Sequence, residues 1–187
     1  VRTADRGVPA VVVACWPVVV AVLVAVAGCS SPGGPAGPSA AVPRSETTAA
    51  PLPGGCVIAR GRADKRCTPG AVNPAVTRAT IRSTICRAGW TKTVRPPPSY
   101  TDGLKDRQKP EYGEADVPDA QLEEDHLVPL ELGGAPRDPA NLWPEPRTGT
   151  NAAAVKDMEE TRLNGEVCSG ALSLDAARQQ IVADWTH

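Results

Sequence analysis

The 187-residue sequence contains no phenylalanine, one methionine, two tyrosines and two histidines, and aromatic residues make up only 3% of it. A large aromatic core is therefore excluded, and Leu, Ile, Val, Ala and four tryptophans must supply the burial. No sign of charge dominates: 20 Lys/Arg stand against 21 Asp/Glu, a net charge of -1, which excludes a uniformly basic nucleic-acid coat. Cys-x-x-Cys is absent, so a zinc ribbon is not expected. There is no internal repeat, and the length suits one modest domain with appendages rather than two full domains.

What is present divides the chain. Arg2 and Arg6 precede an apolar run from Val8 to Ala27, which closes in Val26-Ala27-Gly28-Cys29. A basic start, an apolar middle and small residues before a cleavage point make an export signal. The run also approaches the length of a membrane span, but Pro17 in its middle suits a discarded signal better. The Val-Ala-Gly-Cys ending resembles a bacterial lipobox, which implies cleavage after residue 28, lipidation of Cys29 and a membrane anchor there. Residues 29–55 then carry six prolines and five glycines with almost no large apolar side chain, the composition of a flexible tether. The working domain is expected over 56–187.

Four cysteines fall in that domain: Cys56, Cys67, Cys86 and Cys168. Outside the cytoplasm an even number reads as two disulfides. Of the three pairings, Cys56–Cys67 with Cys86–Cys168 is favoured, one closing a local loop and the other joining two halves of opposite charge. Residues 56–112 hold 12 Lys/Arg against 4 Asp/Glu, a balance of +8; residues 113–187 hold 5 against 15, a balance of -10. The basic part, running from Arg60 to Arg95, suits either phosphate contacts, internal pairing with the acidic part, or an anionic envelope polymer.

Sequence patterning gives an α+β plan. Asn73-Pro74 marks a helix start, with Val76, Ile81 and Ile85 on one face and an end near Cys86 to Gly89. Thr91–Val94 reads as a strand, Pro96-Pro97-Pro98 as an interruption, and Thr101–Gln108 as a brief helix broken by Pro110. Gln121 to Leu132 alternates less cleanly, but its Leu127, Val128, Leu130 and Leu132 suit a strand that turns at Gly133-Gly134, with Asn141-Leu142-Trp143 returning beside it. Thr150 is the expected cap of a longer helix presenting Val155, Met158, Leu163 and Val167, stopped by Gly170. Ser173 caps a last helix with Leu174, Ala177, Ile181 and Trp185 on one side. Trp143 and Trp185 read as core fillers rather than base-stacking platforms.

His187 is the last residue, so imidazole chemistry rests on His126. Its neighbour Asp125 supplies a carboxylate, and the pair has the chemistry of a hydrolytic metal site: an oxygen ligand for a hard cation and a base that titrates near neutrality. On a regular strand the two side chains point to opposite faces. Asp125-His126, Pro129, Gly133-Gly134, Asp138 and Asn141-Leu142 together resemble the core of the HNH, or His-Me finger, endonucleases. The stretches DHLVPLELGG and DPANLWPEP and the following Lys156-Asp157 are similar to HNH-like proteins exported by high-GC bacteria.

The resemblance runs from Asp125 to Glu160. It implies a ββα-metal core in which a hairpin and a following helix grip one divalent cation, Mg²⁺ or Mn²⁺, with Zn²⁺ left open. By resemblance Asp125 is a metal ligand, His126 the general base, and Asn141 the residue that holds the hairpin loop and orients the histidine. The family's third metal position falls in the first helical turns, where this chain has Ala154 in place of a histidine. Asn151 or Asp157 is left to complete the site, and Asn151 is preferred.

The expectation is thus a monomeric, exported, lipid-anchored protein with a small disulfide-stapled α+β domain and flanking helices. Its function would be metal-dependent hydrolysis of DNA, or alternatively RNA, with little sequence preference. The rival expectation is a degenerate scaffold that binds in the envelope without catalysis.

Overall fold

The computed structural model describes residues 55–149 and 151–186. The leader, Cys29, nearly all of the tether, Thr150 and His187 lie outside the described residues, and so do the expectations attached to them, save that the helix expected to be capped by Thr150 has Ala152 at its N-cap and begins at Ala153.

The described residues form an α+β arrangement of four helices and one two-stranded antiparallel sheet. The strands are β1 (Leu122–His126) and β2 (Leu142–Pro146), in register from Leu122 opposite Pro146 to His126 opposite Leu142. Each has a free edge, which is why β2 tolerates two prolines that donate nothing to a ladder. The expected first strand, Gln121–Leu132, is realised only over Leu122–His126, and its apolar second half is not strand. Pro129 fixes an extended φ of -64°, Leu130–Leu132 forms a 3₁₀ turn, and Gly133 ends that turn at φ 73°. Leu127, Val128, Leu130 and Leu132 are all buried nonetheless, because this loop folds back over the core. Their unbroken burial mimics the pattern of a core strand, while the real strand, Leu-Glu-Glu-Asp-His, is mostly polar.

Two features close the loop tightly. A side chain on Gly134 would place its Cβ 1.7 Å from the Val128 carbonyl oxygen, so only glycine fits. Asn141, fully buried, accepts from Val128 N at 2.8 Å and donates to the carbonyls of Val128 at 3.0 Å and Ala135 at 3.1 Å.

The segment after Asn73 is a succession of turns with a 3₁₀ turn at Ile81–Ser83, not the expected α-helix. Its side chains compete for the backbone. Asn73 accepts from Ala75 N, Thr80 Oγ1 donates to Ala75 O, and Thr84 Oγ1 donates to Thr80 O. Val76 and Ile85 still reach the core. The expected strand Thr91–Val94 is a short helix, α1 (Trp90–Val94). Helix α2 (Pro98–Glu111) is longer than expected: Pro98 sits in the first turn, where its missing N–H costs nothing, and Pro110 falls in the last.

Helix α3 (Ala153–Ser169) ends at Gly170 in the left-handed conformation, as its sequence predicts. Its buried side includes Leu163 and Val167, but Met158 is 68% exposed, so that part of the expected stripe is wrong. Lys156 and Glu159 turn inward instead. Helix α4 (Leu174–Ala183) is capped by Ser173, whose hydroxyl accepts from Ala176 N. Leu174, Ala177, Ile181 and the following Trp185 are buried together, as expected.

The core gathers around Trp143 and Trp185, whose ring centroids are 6.2 Å apart, with the Tyr112 ring 6.3 Å from Trp143. Helix α2 packs along both strands, while α3 packs on α4 and on the 130–132 turn. Disulfides join Cys56 to Cys67 and Cys86 to Cys168, the pairing favoured from sequence. Such bonds suit an oxidising compartment. Among the described residues no helix is long and apolar enough to cross a membrane.

Candidate active site

Because side chains alternate along a strand, β1 presents Glu123 and Asp125 on one face and Glu124 and His126 on the other. Glu145 of β2 lies directly opposite Glu123, so it joins the first face. There Glu123, Asp125 and Glu145 bring one ligand oxygen each to within 4.8 Å of one another.

Lys156, in the second turn of α3 and 1% exposed, reaches into this group. Its Nζ donates to Asp125 Oδ2 at 2.5 Å, to the His126 carbonyl at 2.8 Å and to the Glu160 carboxylate one turn on. Burial opposes the ammonium charge, yet Asp125, Glu160 and Glu145 outweigh it and raise its pKa above the usual lysine value. Burial likewise works against the Asp125 charge, but Lys156 and a hydrogen bond shared with Glu145 hold its carboxyl below the ordinary range. Glu145 has no exposed surface, and neither oxygen meets an N–H or hydroxyl donor. Burial, reinforced by the Asp125 charge, pushes it up to about 11, so it is a neutral acid able to share its proton with Asp125. Burial also pushes Glu160 up to about 8. Glu123 is raised by burial and by Asp125, and is paired with Arg147 at 2.6 Å.

This donor set consists of oxygen alone, which fits a hard cation such as Mg²⁺ or Mn²⁺ better than Zn²⁺. Glu145, sealed and without a donor, is the carboxyl that a cation would deprotonate. Glu123 and Asp125 keep 23% and 22% of their side-chain surface open. Lys156 already places one positive charge among these groups and competes for the same site.

On the second face His126 is 4% exposed. Its Nε2 lies 3.1 Å from the Pro136 carbonyl, which can only accept, so Nε2 carries the proton and Nδ1 the lone pair. Nδ1 makes no hydrogen bond to the described residues and is not among the polar atoms sealed from solvent. Burial lowers the His126 pKa, helped by Arg95 and Lys156 and opposed by Asp125, so the ring is neutral at pH 7. Glu124, its neighbour two residues back, has both oxygens sealed without partners. Burial and Asp125 push it up to about 9 against the pull of Lys105 and Arg107.

The structure thus joins Asp125 to two carboxylates the sequence reading missed, Glu123 and Glu145, and to Lys156 and Glu160. The period-two spacing of Glu123 and Asp125 and the i,i+4 spacing of Lys156 and Glu160 were the available signals. Asn151 is engaged elsewhere: its Nδ2 donates to the Arg60 carbonyl at 2.7 Å, and it lines an open cavity with Ile58, Gly61 and Thr148. Ala154 is exposed on α3. Asp157, also exposed, is close enough to Glu123 to raise its carboxyl. No family model, curated protein or solved structure matches the chain.

Proposed function

We propose that this protein hydrolyses phosphodiester bonds in nucleic acid, DNA in preference to RNA, with little sequence selectivity. The observation that carries the reading is His126: a neutral imidazole, fixed by the Pro136 carbonyl as the tautomer with its lone pair on Nδ1, and next in the strand to Asp125, whose carboxylate joins a cluster of hard oxygen ligands on the other face of β1. A base of this kind takes a proton from water at neutral pH. Asn141 acts as a positioning residue, since its three hydrogen bonds hold both ends of the loop that delivers Pro136. Lys156 holds the Asp125 side chain and the His126 main chain in one grip. Glu123, Asp125 and Glu145 would hold a divalent cation, which supplies charge stabilisation at the phosphate and the departing oxygen. In this reading the hairpin and α3 form a ββα-metal core of the HNH type, and the chain is exported and tethered at Cys29.

A second reading rests on Lys156. An ammonium within the carboxylate cluster removes the need for a metal, as in a scaffold that binds in the envelope without catalysis. Plasmid nicking by the full chain in Mg²⁺, Mn²⁺ or EDTA, beside His126→Asn, separates the two. Metal-dependent cutting lost in the variant supports the hydrolase. A folded protein inert in every metal supports the binding module.

A further inference from the structure

Three successive carbonyls run through the loop beside His126, and a different side chain holds each. Asn141 Nδ2 donates to Ala135 O at 3.1 Å, His126 Nε2 to Pro136 O at 3.1 Å, and the Tyr100 hydroxyl to Arg137 O at 2.6 Å. Asn141 and His126 belong to the hairpin and its loop, whereas Tyr100 comes from α2, 37 positions before Arg137.

The middle carbonyl is therefore constrained from both sides. Peptide units are planar, and the proline ring fixes φ at Pro136. With Ala135 O held, the direction of the Pro136 carbonyl depends on one rotation, ψ of Pro136, and on the path of the chain beyond it. The Tyr100 bond fixes that path at the next carbonyl. The Arg137 guanidinium adds to the hold, 5.6 Å from the centre of the Tyr100 ring. Asp138 is turned to its own backbone, where it accepts from Ala140 N at 2.9 Å and caps the turn that leads to Asn141.

Tyr100 itself stands on a stiff support. Pro96, Pro97 and Pro98 precede it, Pro97 is extended at φ -68° and ψ 153°, and Tyr100 N donates to Pro97 O at 2.9 Å in the first turn of α2. Three consecutive prolines leave few backbone rotations to lose on folding, so the ring is placed at little entropic cost. Burial raises the Tyr100 pKa, so its hydroxyl stays a donor throughout the neutral range.

We propose that Tyr100 is a positioning residue for His126: by holding the Arg137 carbonyl it keeps the Pro136 carbonyl aimed at Nε2, and so keeps the lone pair on Nδ1. The hydrogen bond made by one ring nitrogen decides which tautomer a neutral imidazole adopts. The role in the reaction rests on the hydrolase reading; the coupling of Tyr100 to the tautomer does not.

The test reads the imidazole apart from cutting. Two-bond ¹H–¹⁵N spectra of the full, ¹⁵N-labelled chain are recorded at about pH 8, where imidazole is neutral. The chain has two histidines, and His126→Asn assigns their signals. In wild type the Nε2–H form should dominate at His126. Tyr100→Phe keeps the ring and removes only the hydroxyl. It should raise the Nδ1–H population several-fold. In nicking assays it should lower kcat by about 3–10-fold, the worth of one hydrogen bond, with KM near wild type. Ser173→Ala, which removes the cap of α4, should lower stability and leave the His126 signals in place.

Unchanged His126 signals in Tyr100→Phe overturn the proposal, whatever the cutting assay gives. An equal shift in Ser173→Ala overturns it too, since general loosening would then explain both. A shifted tautomer with wild-type kcat removes Tyr100 from the reaction. A shifted tautomer in a protein that cuts in no metal sinks the hydrolase and leaves the coupling.

Discussion

The two faces of β1 are built from alternating residues of one five-residue strand, yet they solve the problem of burying acids in opposite ways. On the α3 side Asp125 stays ionised because Lys156 lies 2.5 Å away, and Glu145 and Glu160 lean toward the neutral form around that pair. On the α2 side Glu124 meets no cation within ion-pair distance and is protonated, and the imidazole beside it is neutral. The first face is an internally balanced charge network. The second holds a neutral acid and a neutral base and has no buried charge of its own. A buried charge needs a partner, whereas a buried neutral acid or base keeps its proton chemistry available.

The largest expected effect comes from breaking the balanced face. Lys156→Met leaves the half-buried Asp125 without its cation and should cost about 3–5 kcal/mol of stability, measured by urea denaturation. A variant as stable as wild type would mean that water, not Lys156, satisfies Asp125. Cys86→Ser releases α3 from the basic part without touching either face and should cost about 2–5 kcal/mol. An unchanged melting temperature would show that the bond does not constrain the unfolded chain.

Asn141→Ala leaves Val128 N and two carbonyls unpaired in the core and should destabilise by about 1–3 kcal/mol. It should also lower any cutting rate further than stability alone explains, because the Pro136 carbonyl loses its placement. His126→Asn should remove activity with a smaller stability loss. The histidine is more deeply buried than its strand-end position suggests, so circular dichroism of the variant is the necessary companion measurement.

The smallest effect sharpens the comparison through pH. The Glu124 carboxyl titrates near 4.5 when unfolded and near 9 when folded, so between those values the native state binds the extra proton. Stability contributed by this group is therefore full below about pH 4.5 and declines as pH rises toward 9. Glu124→Gln should be indistinguishable from wild type at pH 4 and more stable than it at pH 8, in EDTA. Equal stability differences at both pH values would show that Glu124 is ionised in the fold.

Much of the architecture was legible in the chain. The Ser173 cap, the Gly170 stop and the Leu174–Ala177–Ile181–Trp185 stripe are local signals, and each is realised. The favoured disulfide pairing followed from loop logic. The first strand was carried too far, to Leu132, because Leu127–Leu132 is apolar for reasons of loop burial, and the polar strand before it carries no period-two apolar signal. The turns after Asn73 escaped because side-chain hydroxyls, not helix propensity, decide the backbone there. At the candidate site, Asp125, His126 and Asn141 were singled out by type and order. Glu123, Glu145 and Lys156 were not, since their meeting depends on strand register and on where α3 ends up.

By itself the sequence determined which side chains have the chemistry to move a proton or bind a cation, where the chain can turn, and which cysteines could pair, because those properties belong to residue types and short spacings. Only the tertiary structure decided that a lysine 31 positions away would neutralise Asp125, that Glu145 would be sealed close to it, and that Arg137 would lie against Tyr100 of α2. Burial and proximity set those protonation states, and neither exists until the strands are in register and α3 has brought Lys156 to the hairpin.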